Sequence, residues 1–343
     1  MSPPRWWQSP WAAASLVCAL LAVVHTWPLA TAPHILSRHD NGDVMLNEWI
    51  LAWVQHQLPR DPLHLFQGNI FYPAHDTLAY SEPLIVPALM SAPVRWLGGS
   101  PVLVHNLLVI AGFALTALAA FAVVKQWTGD TVAAFVAASA FAFNTHLLVR
   151  LAHVQALHAY GLPLALLATD RLLLYRRTRD ALWLALWMTA MAYTSGHFLI
   201  FATVMIAVAL LSRPAEWIRG PLAVLPRFAL AAALTTAAVL PLSLPYQRVA
   251  REQGLVRSLE NVGEYSATLK GYLAAAGRLH YSTWSAPLFQ NDVDAFFPGV
   301  TVLALSLAAV VLAWRDRTAG ARPRRSRGPG SRAASGGAPR RRR

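Results

Sequence analysis

Two aspartates, Asp40 and Asp43, lie three residues apart in the first long polar stretch of a very apolar sequence. Carboxylates this close together could share a divalent cation, or could act as a general base and a group that orients it. The turn signal Asn41-Gly42 directly precedes Asp43, which could therefore also be the N-cap of a following helix. Capping and catalysis are compatible, because a helix N-terminus holds a carboxylate in a fixed direction. Asp43 and Asp40 are therefore the candidate catalytic residues.

Four more residues are candidates for binding a substrate or a phosphate group: Glu82, Arg150, His153 and Gln155. Glu82 ends a loop rich in aromatic residues and precedes an apolar run. The other three follow a predicted membrane span, where ionisable groups are uncommon and often functional. Spacings of four and three residues predict that His146, Arg150 and His153 share one helix face, on which an anionic headgroup could bind. The alternative for a histidine in this position is a hydrogen-bonded interfacial residue.

The composition predicts an all-α polytopic membrane protein. Of the 343 residues, 56% are apolar and only 13% are charged, whereas soluble domains carry about 25% charged residues. Several charge-free runs reach the roughly 20 residues that a helix needs to cross the hydrocarbon core. The run 181–212 is too long for one helix and contains Ser195-Gly196 at its centre, which predicts two helices, 181–194 and 197–211. An uncleaved first helix at 9–31 and five further runs bring the predicted spans to eight; the five are 96–124, 131–149, 151–169, 228–247 and 295–314.

Arginine-rich connections define the predicted orientation, because the cytoplasmic loops of membrane proteins carry excess positive charge. Connections 170–180 and 212–227 are rich in arginine, as is the C-terminal flank. This distribution predicts that the N- and C-termini are both cytoplasmic. The opposite side then receives two long outer loops, 32–95 and 248–294, which hold many of the acids.

The long first outer loop is expected to carry interfacial helices. Residues 43–58 place leucine, isoleucine and tryptophan side chains at helical spacing, and tryptophan favours the membrane interface. The apolar run 83–94 is too short to span and is expected to be interfacial or re-entrant.

The predicted domain organisation is a membrane-embedded region, 1–317, followed by a disordered cytoplasmic tail, 318–343. The segment 321–343 holds nine arginines and no acid, and without them the net charge of +13 falls to +4. A segment rich in Gly, Pro, Ser and Arg cannot bury enough apolar surface to fold. It could bind anionic lipid, or be an unselected extension after a truncation, and we predict no nucleic-acid partner. The sequence contains none of the common motifs of ATP hydrolysis or cofactor-dependent redox chemistry.

Six segments, taken in their order along the chain, carry a resemblance to a known family: GDVMLNEWILAWVQHQL, DPLHLFQGNIFYPAHDTLAYSE, GGSPVLVHNLL, LAHVQ, ENVGEYSA and DVDAFFPGVTVLALSLAAVVLAW. In these segments the chain resembles, over roughly residues 10–317, a bacterial family of polytopic membrane proteins with the GT-C glycosyltransferase architecture. That architecture also includes the protein mannosyltransferases and the aminoarabinose lipid A transferases. The resemblance implies a hexosyl- or pentosyltransferase in the bacterial inner membrane. Its partners would be a polyprenyl-phosphate-linked sugar donor, the lipid bilayer, and a glycan, lipid or protein acceptor on the outer face.

The resemblance also implies roles for individual residues. Asp43, with Asp40 beside it, matches the acid of the first outer loop that acts as base on the acceptor hydroxyl. The leaving phosphate needs a cation or a metal to take up charge, and Arg150, His153 or Arg95 could supply it; no cofactor is required otherwise. An acid is expected just before the Phe-Pro-Gly segment, at position 292 or 294. Members of the family run longer, with more spans and a C-terminal outer domain, so the resemblance predicts a C-terminally truncated chain. Such a truncation could remove acceptor binding and leave the chain inactive.

Two other functions fit the same composition. The chain could be a non-enzymatic transporter or flippase for envelope glycans, or a structural membrane protein of the envelope. A transporter concentrates ionisable residues near the middle of the bilayer, often at broken helices. Here the ionisable residues cluster in the outer loops, which favours surface chemistry, although Pro163, Pro241 and Pro245 could break helices.

Overall fold

The computed structural model describes residues 10–37, 40–254, 258–264, 266–277, 280–289 and 295–318. This described part is all-helical and contains no β-strand, as the composition predicts. The chain divides into two compact units, Met1–Phe297 and Pro298–Arg343. The helices of the first unit are α1 (Pro10–His25), α2 (Gly42–Gln57), α3 (Ile85–Trp96), α4 (Pro101–Thr128), α5 (Thr131–Ala142), α6 (Thr145–Val149), α7 (Val154–Leu157), α8 (Gly161–Tyr175), α9 (Thr178–Thr194), α10 (Gly196–Leu211), α11 (Pro214–Ile218), α12 (Pro221–Glu252) and α13 (Leu259–Glu264). The second unit contains α14 (Val300–Thr318).

Three helices of the described residues are long and apolar enough to cross a membrane: Pro101–Thr128, Thr131–Val149 and Pro221–Glu252. The second of them bends at Phe143-Asn144, between α5 and α6. α1 and α10 are apolar but have 16 residues each, fewer than the roughly 20 that a straight span requires. The architecture is thus compatible with a membrane protein, whereas the eight spans and the GT-C arrangement remain predictions.

Helix α4 is the centre of the first unit. It starts where the Ser100 hydroxyl accepts a hydrogen bond from a backbone N–H three residues on, at 3.1 Å, and it ends at Gly129, which has a φ of +73°. α1, α2 and α5 all pack against it. Phe113 of α4 and the α2 residues Ile50 and Val54 are fully buried in one apolar cluster. This cluster fixes α2, whose N-terminal end carries the candidate catalytic aspartates.

The predicted division of the run 181–212 is confirmed. Ser195 is extended, with a φ of −158°, and separates α9 from α10. Gly196 begins α10 and has no atom within 4 Å of the position that a Cβ would occupy. Gly196 therefore faces open space, and the N-terminal end of α10 is available for contacts with the loop between α2 and α3.

Helix α12 runs unbroken for 32 residues although Pro226, Pro241 and Pro245 lie inside it. The expectation that Pro241 and Pro245 could break the helix is wrong. Pro163 does not break a helix either, because it lies in the first turn of α8, where its missing N–H costs no hydrogen bond.

The prediction of one helix over 151–169 is wrong in its first half. Residues 150–160 form turns around the four-residue helix α7, and α8 begins only at Gly161. Pro163 lies in the first turn of α8, a position that suits proline better than the interior of a helix does. As a consequence His146, Arg150 and His153 do not share a helix face: His146 lies in α6, Arg150 is the residue after it, and His153 precedes α7.

Candidate active site

Asp43 lies in the first turn of α2. The N-cap of this helix is Asn41, whose side-chain oxygen accepts a hydrogen bond from the Asp43 N–H at 2.9 Å. The alternative that Asp43 itself is the N-cap is therefore wrong. Its carboxylate is left for other contacts, and its side chain is 54% exposed.

His153 meets Asp43 from a turn that lies 110 residues further along the chain. Its Nε2 atom is 3.2 Å from Asp43 Oδ2, and its side chain is 28% exposed. The buried side chain of Asn47, one helical turn after Asp43, donates a hydrogen bond to the Ala152 carbonyl at 2.8 Å. Asn47 thus ties the turn that carries His153 to the helix that carries Asp43. A base and an orienting imidazole held in this way form a dyad suited to proton transfer.

Burial determines the charge state of His153. Loss of solvent lowers its pKa below the ordinary value of 6.5, Asp43 raises it in part, and Arg150 lowers it again. His153 is therefore neutral near pH 7. Its Nδ1 atom is buried without a hydrogen-bond partner among the described residues. The proton is best placed on Nε2, the nitrogen that faces Asp43 Oδ2 at 3.2 Å. From there the imidazole can donate to one carboxylate oxygen and leave the second for a substrate hydroxyl.

The lowered pKa of His153 predicts a loss of stability in mild acid. Below pH 6.5 the unfolded chain takes up a proton on this residue before the folded chain does. Its contribution to the free energy of unfolding is therefore complete above pH 6.5 and is lost as the pH falls toward the lowered value. Lowering the pH from about 7.5 to about 5 should reduce the thermal unfolding midpoint of the wild type more than that of His153→Gln. An equal fall in both proteins would contradict a neutral, buried His153.

Of the other residues predicted for this site, only Arg150 has a described interaction with the dyad. Arg150 is half-buried and acts on His153 through its charge. The side-chain oxygen of Gln155 is buried and has no hydrogen-bond partner in the part of the chain that the structure describes. Asp40 lies in the exposed turn before α2, and no described contact joins it to Asp43. No group of three or more His, Cys, Asp or Glu among the described residues is arranged to hold a metal, so a cation shared by the two aspartates remains a prediction.

Glu82 belongs to a second constellation. Its carboxylate accepts a hydrogen bond from the Gly196 N–H at 2.8 Å and lies 2.6 Å from His197 Nδ1. Only 17% of the side chain is exposed. The adjacent Ser81 carbonyl accepts a hydrogen bond from the Tyr246 hydroxyl at 2.8 Å. Glu82 therefore joins the end of the loop between α2 and α3 to the turn between α9 and α10, which its sequence position alone did not indicate.

A buried aspartate fixes the rest of the loop against α12. Asp76 has a positive φ of 51° and is 5% exposed. Its carboxylate accepts hydrogen bonds from the Gln67 amide at 2.7 Å and from Arg248 Nε at 2.8 Å. The Arg248 side chain reaches it from the end of α12, across 172 positions of sequence. This ion pair holds the loop in place beside Glu82.

An apolar groove opens beside Glu82. Its mouth, with a cavity volume of about 520 Å³, is lined by Glu82, His197 and Tyr246. It continues into a cavity of about 410 Å³ between α9, α10 and α12 that is lined almost entirely by apolar side chains and threonines. The two cavities share three lining residues, Leu199, Val239 and Ser243. Together they form a groove that suits an apolar chain with a polar headgroup.

The dyad and the groove remain separate within the described residues. Neither Asp43 nor His153 lines the groove, and no described hydrogen bond connects them to Glu82. The predicted acids at positions 292 and 294 lie outside the described residues, as does the predicted tail beyond Thr318.

Comparisons with protein-family models, with curated proteins and with solved structures found no match to this chain.

Proposed function

We propose that this chain is a membrane glycosyltransferase of the GT-C type. In this proposal it moves a sugar from a polyprenyl-phosphate donor to an acceptor hydroxyl on the outer face of a bacterial inner membrane. The observation that carries the proposal is the contact between Asp43 and His153, in which a half-exposed carboxylate at a helix N-terminus faces a neutral imidazole at 3.2 Å. The eight spans, the cytoplasmic termini and the GT-C architecture belong to the proposal.

The chemistry assigned to the dyad is a single displacement at the anomeric carbon. Asp43 takes the proton of the acceptor hydroxyl as the oxygen forms a bond to the sugar. The bond between the anomeric carbon and the phosphate oxygen breaks, and polyprenyl phosphate leaves with the electron pair. His153 donates its Nε2 hydrogen bond to Asp43 and so keeps the free carboxylate oxygen directed at the acceptor. Arg150 is the nearest candidate for taking up the charge of the leaving phosphate.

The groove supports the lipid part of the proposal. A polyprenyl chain needs an apolar channel that opens between helices, and the cavity between α9, α10 and α12 has this character. The groove lies against a helix that is long and apolar enough to span a membrane. A transporter is less well supported, because α12 is not broken at its prolines.

Deletion of the gene tests the reaction class. We expect the deletion strain to lose one envelope glycan modification and to accumulate the corresponding polyprenyl-linked sugar, and the wild-type gene to restore both. Mass spectrometry of lipid-linked sugars and of envelope glycans measures the two changes. Unchanged profiles would contradict the transferase, and loss of the modification without accumulation of any polyprenyl-linked sugar would contradict the donor class.

A further inference from the structure

Several arginines lie where the connection between α8 and α9 contacts the start of α12. Arg176 and Arg177 form that connection, and Arg219 precedes α12. All three side chains are exposed. The buried Nε of Arg227, in the second turn of α12, has no hydrogen-bond partner among the described residues and adds a further positive charge.

The acidic residues of this region already form ion pairs with two other arginines. Asp170 and Glu216 both bind Arg213, at 2.6 Å and 2.7 Å. Asp180 binds Arg171 at 3.2 Å. In the described part of the chain no carboxylate therefore remains within ion-pair distance of Arg176 or Arg219, and their positive charge is not neutralised.

Arg176 is held in an unusual backbone conformation. It has a positive φ of 54° and closes α8, with its N–H donating to the Leu172 carbonyl at 2.9 Å. Glycine is the usual residue in this position, because a side chain there is disfavoured by about 1 kcal/mol. The guanidinium lies close to Gly220, since a Cβ on Gly220 would be 2.9 Å from its Nη1 atom. The backbone cost and the close approach together place this cation at the start of α12.

Apolar side chains surround the charges. Leu174, Ile218 and Leu222 are each more than half exposed, and Leu222 reaches 89%. They lie within four residues of Arg176 or Arg219 in the sequence. Exposed apolar residues next to uncompensated arginines, at the end of a candidate membrane helix, match the boundary between lipid tails and phosphate headgroups.

We propose that Arg176 and Arg219 bind the phosphate group of an anionic phospholipid at the start of α12. The Arg176 guanidinium offers paired N–H donors to the phosphate oxygens. The exposed leucines and isoleucine contact the acyl chains. This site is independent of the proposed transferase reaction, because it uses none of the residues of the dyad or the groove.

The test uses the full chain in phosphatidylcholine nanodiscs that contain phosphatidylglycerol, with native mass spectrometry to count bound lipid. Arg176→Gly should weaken phosphatidylglycerol binding about tenfold, as expected for one charge-assisted contact. It should not lower the thermal unfolding midpoint, because glycine adopts a positive φ freely. Arg219→Gln, which leaves the end of α8 unchanged, should also weaken binding.

Arg179→Gln is the matched control, because it removes a nearby exposed arginine in the first turn of α9. It should change the affinity by less than about twofold. The arginine-rich tail is present in every variant, so diffuse attraction is common to all of them. Equal losses in Arg176→Gly and Arg179→Gln would overturn the site. Displacement of the lipid by inorganic phosphate would overturn its assignment to a phospholipid.

Discussion

Asp43→Asn is expected to lower sugar transfer by about 10³-fold, which is the usual contribution of a positioned general base. Asparagine keeps an oxygen that can accept the His153 hydrogen bond, but it cannot take a proton from the acceptor hydroxyl. Helix α2 should remain folded, because Asn41 and not Asp43 provides the N-cap. The measurement is the rate of sugar transfer by purified protein, together with the thermal unfolding midpoint.

Asp40→Asn provides the control for this substitution. It removes a neighbouring carboxylate that has no described contact with the dyad, so transfer should fall by less than about tenfold. Unimpaired transfer by Asp43→Asn in a folded protein would show that Asp43 is only part of the helix start. A large loss in Asp40→Asn alone would move the base to that residue.

Ala232→Trp is expected to block the groove and to reduce kcat/KM for the lipid-linked donor by about tenfold or more, or about 1.4 kcal/mol. Ala232 is exposed and lines the cavity between α9, α10 and α12, so an indole there would occupy the path of an apolar chain. The substitution leaves Asp43 and His153 unchanged. Transfer should therefore recover partly at high donor concentration, which a defect in the base would not allow.

Ala237→Trp is the matched control on the same helix. Ala237 is also exposed but does not line the groove, because five positions of an α-helix turn it to a different face. Its kcat/KM should stay within about twofold of the wild type. Equal losses in Ala232→Trp and Ala237→Trp would exclude the groove as the donor site.

Some local features of the fold could be predicted because they depend on residues that are close together in the sequence. The apolar stripe of residues 43–58 predicts a helix, and α2 spans Gly42–Gln57. Ser195-Gly196 predicts the break between α9 and α10, because glycine is a poor helix former. The prediction of a single helix over 151–169 is wrong because hydrophobicity alone does not reveal where a helix starts. Pro163 is the local signal for the start of α8, since proline suits the first turn of a helix.

The contacts of the site depend on chain segments that are far apart in sequence. Asp43 and His153 were both candidates, but their pairing follows from the packing of α2 against α4 and from the Asn47 hydrogen bond to Ala152. Asn47 could have been noticed as a polar residue one turn after Asp43, on the same face of the helix. His197 gave no such signal, and its contact with Glu82 spans 115 positions.

The most direct test of the role of Asp43 is to measure polyprenyl-linked sugars in cells whose only copy of the gene encodes Asp43→Asn. The proposed reaction predicts a build-up of one polyprenyl-linked sugar, with loss of the matching envelope glycan modification and with normal amounts of folded protein in the membrane. Wild-type levels of both the lipid-linked sugar and the glycan would contradict a base at Asp43.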